Sequence, residues 1–156
     1  MPVGDYDICA SAPNFSSEDR SAEVRVESPV TEVILLSPDP GSVSGRAVSA
    51  DDSSDVSGAT VRLEVTSGIY IGSTYDTVTD EDGTFSFTDL PAAIDYQITV
   101  SKTGHFKYQA PFSLKAGEAK DLGPISIVPS VSVVRGAPGS FTITWKSVSS
   151  MLYKVY

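Results

Sequence analysis

The chain has 156 residues, is 40% hydrophobic, and carries a formal net charge of −9. That composition suits a folded protein and excludes an intrinsically disordered one. The acidic balance argues against nucleic-acid binding, which needs cations to neutralise phosphates, and against docking on an anionic membrane. The charge is uneven: residues 1–40 and 41–128 are each net −6, whereas 129–156 carry three bases and no acid.

The start, Met1-Pro-Val-Gly-Asp-Tyr-Asp, has neither the basic nor the apolar region of a signal peptide and reads as part of a longer protein. Asp5-Tyr6-Asp-Ile8-Cys9 follows as a strand. Cys9, the only cysteine, excludes an internal disulfide and a structural zinc site and reads as a plain strand residue. Ser16 to Val26 lacks the three-four apolar spacing of a helix face, and Val24/Val26 and Val33/Leu35 alternate as strands would. The longest apolar run, Val33 to Leu36, falls far short of the roughly 18–20 residues of a membrane span.

From residue 42 onward the alternation is sustained. Strands are expected near 42–48, 60–66, 69–78, 84–88, 95–102, 107–114 and 121–128, with Val61/Leu63/Val65, Phe85/Phe87, Tyr96/Ile98/Val100, Phe112/Leu114 and Ile125/Ile127 facing inward. The breaks between them are turns. Asp82-Gly83 suits a tight hairpin, Gly58-Ala59 a close strand entry, and Pro91 and Pro111 an edge or a strand end. Seven short strands over about ninety residues predict an all-β, antiparallel, Ig-like sandwich, flanked by partial sandwich segments.

Asp5-Tyr6-Asp-Ile8-Cys-Ala-Ser11-Ala-Pro-Asn14-Phe15 lies over Asp95-Tyr96-Gln-Ile98-Thr-Val-Ser101-Lys-Thr-Gly104-His105 without a gap. Asn14 replaces Gly104, and asparagine is the other residue that enters the left-handed region cheaply. Residues 1–40 are therefore expected to be the last strands of a preceding copy, 41–128 a complete module, and 129–156 the start of a third domain.

Few residues suggest chemistry. The single histidine, His105, has no second His or Cys with which to build a metal site, and no serine elbow accompanies it. No catalytic residue and no cofactor are expected. Asp80 and Asp82 on the acidic hairpin are calcium candidates, weighed against plain turn chemistry, because the Asp-x-Asp-x-Asp-Gly pattern with a distal glutamate is missing. Tyr70, Tyr75 and Tyr108 are the candidate glycan contacts, since flat rings stack on sugars.

Val43-Ser-Gly45-Arg, Ser57-Gly58-Ala59-Thr60-Val61, Thr79-Asp80-Glu-Asp82-Gly83-Thr-Phe85, Leu90-Pro91, Tyr96-Gln-Ile98-Thr-Val100 and Gly104 together resemble a carboxypeptidase regulatory-like domain, a transthyretin-like sandwich. Two positions depart from that pattern: His105 with Phe106 where one aromatic is expected, and Ala47 where a larger aliphatic is usual. Ser140-Phe141-Thr-Ile143-Thr-Trp145 and the later Tyr153-Lys-Val155 are similar to the opening of a fibronectin type III-like domain, with Phe141, Ile143 and Trp145 facing inward. The resemblance implies a non-catalytic spacer or adhesive segment of a larger exported multidomain protein, extracellular or at the cell surface. The alternative is a carbohydrate-binding accessory module of a secreted hydrolase. Expected partners are the neighbouring domains of the same polypeptide and a polysaccharide or another surface protein, with no nucleic acid and no membrane insertion.

Overall fold

The computed structural model describes residues 3–25, 31, 33–130, 132–135 and 141–144. Its strands, in chain order, are β1 (Gly4–Ala12), β2 (Phe15–Val24), β3 (Gly41–Ser49), β4 (Thr60–Val65), β5 (Thr74–Val78), β6 (Thr84–Leu90), β7 (Ile94–Ser101), β8 (Tyr108–Leu114), β9 (Ala119–Ile127), β10 (Ser132–Arg135) and β11 (Phe141–Thr144). All seven strands expected over 42–128 are present, as β3 to β9. They form a three-stranded sheet, β6-β3-β9, and a four-stranded sheet, β5-β4-β7-β8. The β1–β2 and β10–β11 pairs are separate antiparallel ribbons. Trp145, Tyr153 and Val155 lie outside the described residues, as do the side chains of Phe141 and Ile143.

The inward residues of both sheets meet in one core. Val43, Ala47, Phe85, Phe87, Leu90, Ile125 and Ile127 come from one sheet, and Val61, Leu63, Val65, Tyr96, Ile98, Val100 and Leu114 from the other. Period-two alternation dictates this, because every second side chain of a strand points to the same face. In β4 the burial runs strictly exposed, buried, exposed, buried. Its outward residue Arg62 instead forms a two-pronged ion pair with Asp76 across the β4–β5 register, at 2.7 and 3.0 Å. Pro111 sits in β8, an edge strand, and Pro91 directly after β6, so neither removes a donor that an inner ladder needs.

Three expectations need correction. The sheet is not wholly antiparallel: β3 and β9 run parallel, from Ser42 beside Ala119 to Ser49 beside Ile127. The strand expected over 69–78 begins only at Thr74. Before it, Gly72 N–H bonds Val65 C=O at 2.9 Å and Ser73 N–H bonds Tyr70 C=O at 3.0 Å, folding 69–72 into a turn that leaves Ile69 and Ile71 exposed. Val33 and Leu35 are not in a strand. Both are exposed, at 74% and 79%.

One buried polar side chain closes the module. Thr79 directly follows β5 and is 4% exposed. Its Oγ1 accepts Ala59 N–H at 2.9 Å and donates to Val56 C=O at 2.6 Å, while its own backbone exchanges bonds with Gly58 and Ala59. This fastens the loop before β4 to the end of β5. Replacing Thr79 with valine keeps the shape but strands two buried backbone groups, each costing about 1–3 kcal/mol. Denaturant melts of Thr79→Val should show a loss of about 2–3 kcal/mol.

Candidate functional site

The acidic hairpin is built as a turn. Asp80 Oδ1 accepts the N–H groups of Asp82 and Thr84 at 3.0 and 2.8 Å, and its Oδ2 accepts Thr84 Oγ1 at 2.6 Å. Those bonds favour the charged carboxylate and hold Asp80 below its ordinary pKa, the Thr84 hydroxyl contributing most. Asp82 contributes its carbonyl, which accepts Arg46 Nε at 3.1 Å. Arg46 also forms an ion pair with Asp55, tying the hairpin to the loop after β3. Of the two calcium candidates, Asp80 thus has its carboxylate already engaged by its own turn. No cluster of three or more metal-ligating side chains occurs among the described residues.

Asp76, whose lowered pKa comes chiefly from its bond to Arg62, and Glu118, held by the Lys115 N–H and by Lys120, share the direction of Asp80. A carboxylate with a depressed folded pKa stabilises fully above its ordinary value, and that contribution disappears as pH falls through the folded value. Melting temperature should therefore decline as pH drops below the ordinary aspartate value of 3.8. Thermal melts across that range check this, and Asp80→Asn should flatten the decline.

The three tyrosines do not converge. Tyr70 is 47% exposed, in the turn before β5. Tyr75 on β5 stands opposite Leu63, and Tyr108 on β8 stands opposite Val100, so both share the core-facing side. They are half-buried, packed against the core, at opposite edges of the four-stranded sheet. Only Tyr70 presents a ring outward. Phe106, two residues after Gly104 and 60% exposed, is a second flat ring that faces outward. A shallow groove of about 660 Å³ lies elsewhere, lined by Arg46, Thr77, Asp80, Thr84, Asp121 and neighbouring backbone.

His105 begins the segment leading into β8, and its backbone faces Pro129 in an isolated bridge. Its Nδ1 is buried without a hydrogen-bond partner. Cys9 is exposed on β1, and a hydrogen bond to Asp19, helped by that residue's charge, raises the thiol pKa and disfavours the reactive thiolate.

The residue that sequence reasoning placed only in the core is Tyr96. It is fully buried at the start of β7, its hydroxyl donates to Pro91 C=O at 2.6 Å, and its ring stacks on Phe112 at 5.4 Å and 12°. Burial pushes its pKa far upward. A tyrosine near the start of a strand, bonded back to the backbone a few residues upstream, is the corner device of Ig-like sandwiches. The signal was Leu90-Pro91 followed five residues later by tyrosine.

Two facing sheets, a corner tyrosine and a filled interior define a small sandwich module. The carboxypeptidase regulatory-like domain model matches residues 42–127, more than half of the chain, and the chain belongs to that family. No curated protein matches it. Among solved structures it is similar to the Bacillus anthracis TIE protein, with a TM-score of 0.55 and 16% identity, over 86% of this chain and 26% of that one. It is also similar to a mutant of shaft pilin SpaA from Lactobacillus rhamnosus GG, with a TM-score of 0.47 and 9% identity, over 75% and 58% of the two chains. Klebsiella pneumoniae 5-hydroxyisourate hydrolase is matched with a TM-score of 0.42 and 18% identity, over 69% and 94%. At these identities the likeness is one of fold. The chain spans about a quarter of the Bacillus protein's length.

Proposed function

We propose that the chain is a non-catalytic spacer segment of a larger exported multidomain protein, working outside the cell or at its surface with neighbouring domains as its direct partners. The observation that carries this is the parallel pairing of β3 with β9. The module is entered at Gly41, beside the start of β9, and left at Ile127, beside the end of β3. Entry and exit therefore stand at opposite poles, roughly 26 Å apart at about 3.3 Å per strand residue. A module threaded in this way extends a chain of domains end to end instead of folding it back. The acidic surface, which keeps such a segment soluble and unattracted to anionic membranes, supports the same reading.

Small-angle scattering of the 156-residue chain tests it. A compact globule of that length has a radius of gyration of about 15 Å. The spacer reading expects a clearly larger value, and one at the compact figure would overturn it. Affinity electrophoresis through polysaccharide gels should show no retardation. Retardation abolished by Tyr70→Ala would favour the accessory carbohydrate-binding module instead.

A further inference from the structure

The two ends of the module carry the same backbone clamp. At the exit pole, Phe106 N–H donates to Val128 C=O at 2.7 Å, Ser130 N–H donates to Gly104 C=O at 2.8 Å, and His105 pairs with Pro129 between them. At the entry pole, Ser16 N–H donates to Ser37 C=O at 2.9 Å, Asp39 N–H donates to Asn14 C=O at 2.9 Å, and Phe15 pairs with Pro38. Gly104, His105 and Phe106 stand 90 positions after Asn14, Phe15 and Ser16, while Val128, Pro129 and Ser130 stand 91 after Ser37, Pro38 and Asp39. The turn residues match in conformation too, with φ of 63° at Asn14 and 81° at Gly104. The sequence echo covered only the first arm of this clamp. The second arm, centred on a proline in both copies, becomes visible through the hydrogen bonds.

The entry clamp is also bonded to the module that follows it. Asp39, whose N–H is held by Asn14, uses its carbonyl to accept Gly117 N–H at 3.0 Å from the turn between β8 and β9. Gly117 has φ of 66°, and a Cβ built there would lie 3.1 Å from Asn14 Oδ1 and 3.5 Å from Asn14 Cβ. A side chain at 117 would press on Asn14, so the absence of one lets the two turns meet.

We infer that residues 4–39 are the exit end of an upstream module of the same family, and that its Asn14 turn docks on the Gly117 turn of the next module with Asp39 as the bonded bridge. This rests on the spacer reading and names the surface by which successive modules are held in one orientation. The occupant of the β8–β9 turn is the preceding module of the same polypeptide. Because both bonds of the bridge are made by backbone, the junction depends on the two positive-φ turns and on the missing side chain at 117.

Cysteine trapping tests the junction in the full chain. In a Cys9→Ser background, Asn14→Cys with Gly117→Cys places two Cβ atoms at a separation suited to a disulfide. Mild oxidation should consume both thiols within monomers, whereas Asn14→Cys with Gly72→Cys should keep both titratable. A folded Asn14/Gly117 variant whose thiols stay free would overturn the junction. Amide exchange on the unaltered chain decides the matter if cysteine at 117 prevents folding. The Asp39 and Gly117 amides should exchange at least about tenfold more slowly than in free peptide, as those of Phe106 and Ser130 should. Free-peptide exchange at Asp39 and Gly117, beside protection at the exit clamp, would remove the junction. An extended scattering profile alongside that result would leave the spacer reading standing.

Discussion

Tyr96→Ala should cost the module about 4–5 kcal/mol and leave residues 41–128 marginal or unfolded at 37 °C. The ring is fully buried between the sheets and stacked on Phe112, so truncation opens a cavity of nearly its own size. Deleting a buried aromatic costs about 3–5 kcal/mol. The hydroxyl adds to this, because Pro91 C=O loses its donor where the chain passes from β6 to β7. Tyr96→Phe isolates the second part and should cost about 0.5–1.5 kcal/mol, the usual net contribution of one hydrogen bond. Urea melts followed by tryptophan-independent circular dichroism measure both. Equal losses for the two variants would mean that the ring carries little and the hydroxyl nearly everything, contrary to the packing.

Gly83→Ala should cost about 3–4 kcal/mol. Gly83 has φ of 72°, where an L-residue pays roughly 1–2 kcal/mol. A Cβ there would also come within 2.5 Å of Ala47 O and 3.2 Å of Val56 N, which are bonded to each other at 3.0 Å. The added methyl drives a wedge into that bond, and overpacking of this kind costs typically about 1–3 kcal/mol. Ala47, which departs from the family pattern, supplies the carbonyl of that bond. It is fully buried, with its N–H bonded to Gly83 C=O and its own carbonyl bonded to Val56 N–H beneath the hairpin. Melts of Gly83→Ala beside Gly72→Ala separate the two contributions. Gly72 has φ of 85° but nothing within 4 Å of its built Cβ, so it should lose only the conformational part. A loss at Gly83 no larger than at Gly72 would discount the wedge.

The faces of the sandwich were legible because alternation is a local property. Leu63, Phe87, Ile98 and Ile127 are buried where period two places them. Neighbour relations are not local. Nothing in Ser42 to Val48 or in residues 121–128 distinguishes a parallel from an antiparallel partner, so the β3–β9 pairing was missed. Ile69-Tyr70-Ile71 is β-branched and aromatic, and by propensity it belongs in a strand. The turn forms because bonds from Gly72 and Ser73 close back on Val65 and Tyr70, and those partners are invisible in composition.

The candidate site was less legible than the fold. Tyr75 and Tyr108 look alike in sequence and do share a face, yet sheet order places them at opposite edges. Asp82-Gly83 marked the hairpin, but the carboxylate that accepts its three bonds is that of Asp80, two residues earlier. The Asp39 bridge had no local signal, because it is made of main-chain groups contributed by three distant segments.

The β3–β9 ladder has a mechanical corollary. When the two ends of the module are pulled apart, these strands are drawn in opposite directions along their common axis, from Gly41 at one end and Ile127 at the other. Their hydrogen bonds then carry the load in shear, sharing it across the ladder, instead of opening one after another as they would if peeled from an end. A sandwich threaded in this manner resists stretching at the seam where tension enters and leaves.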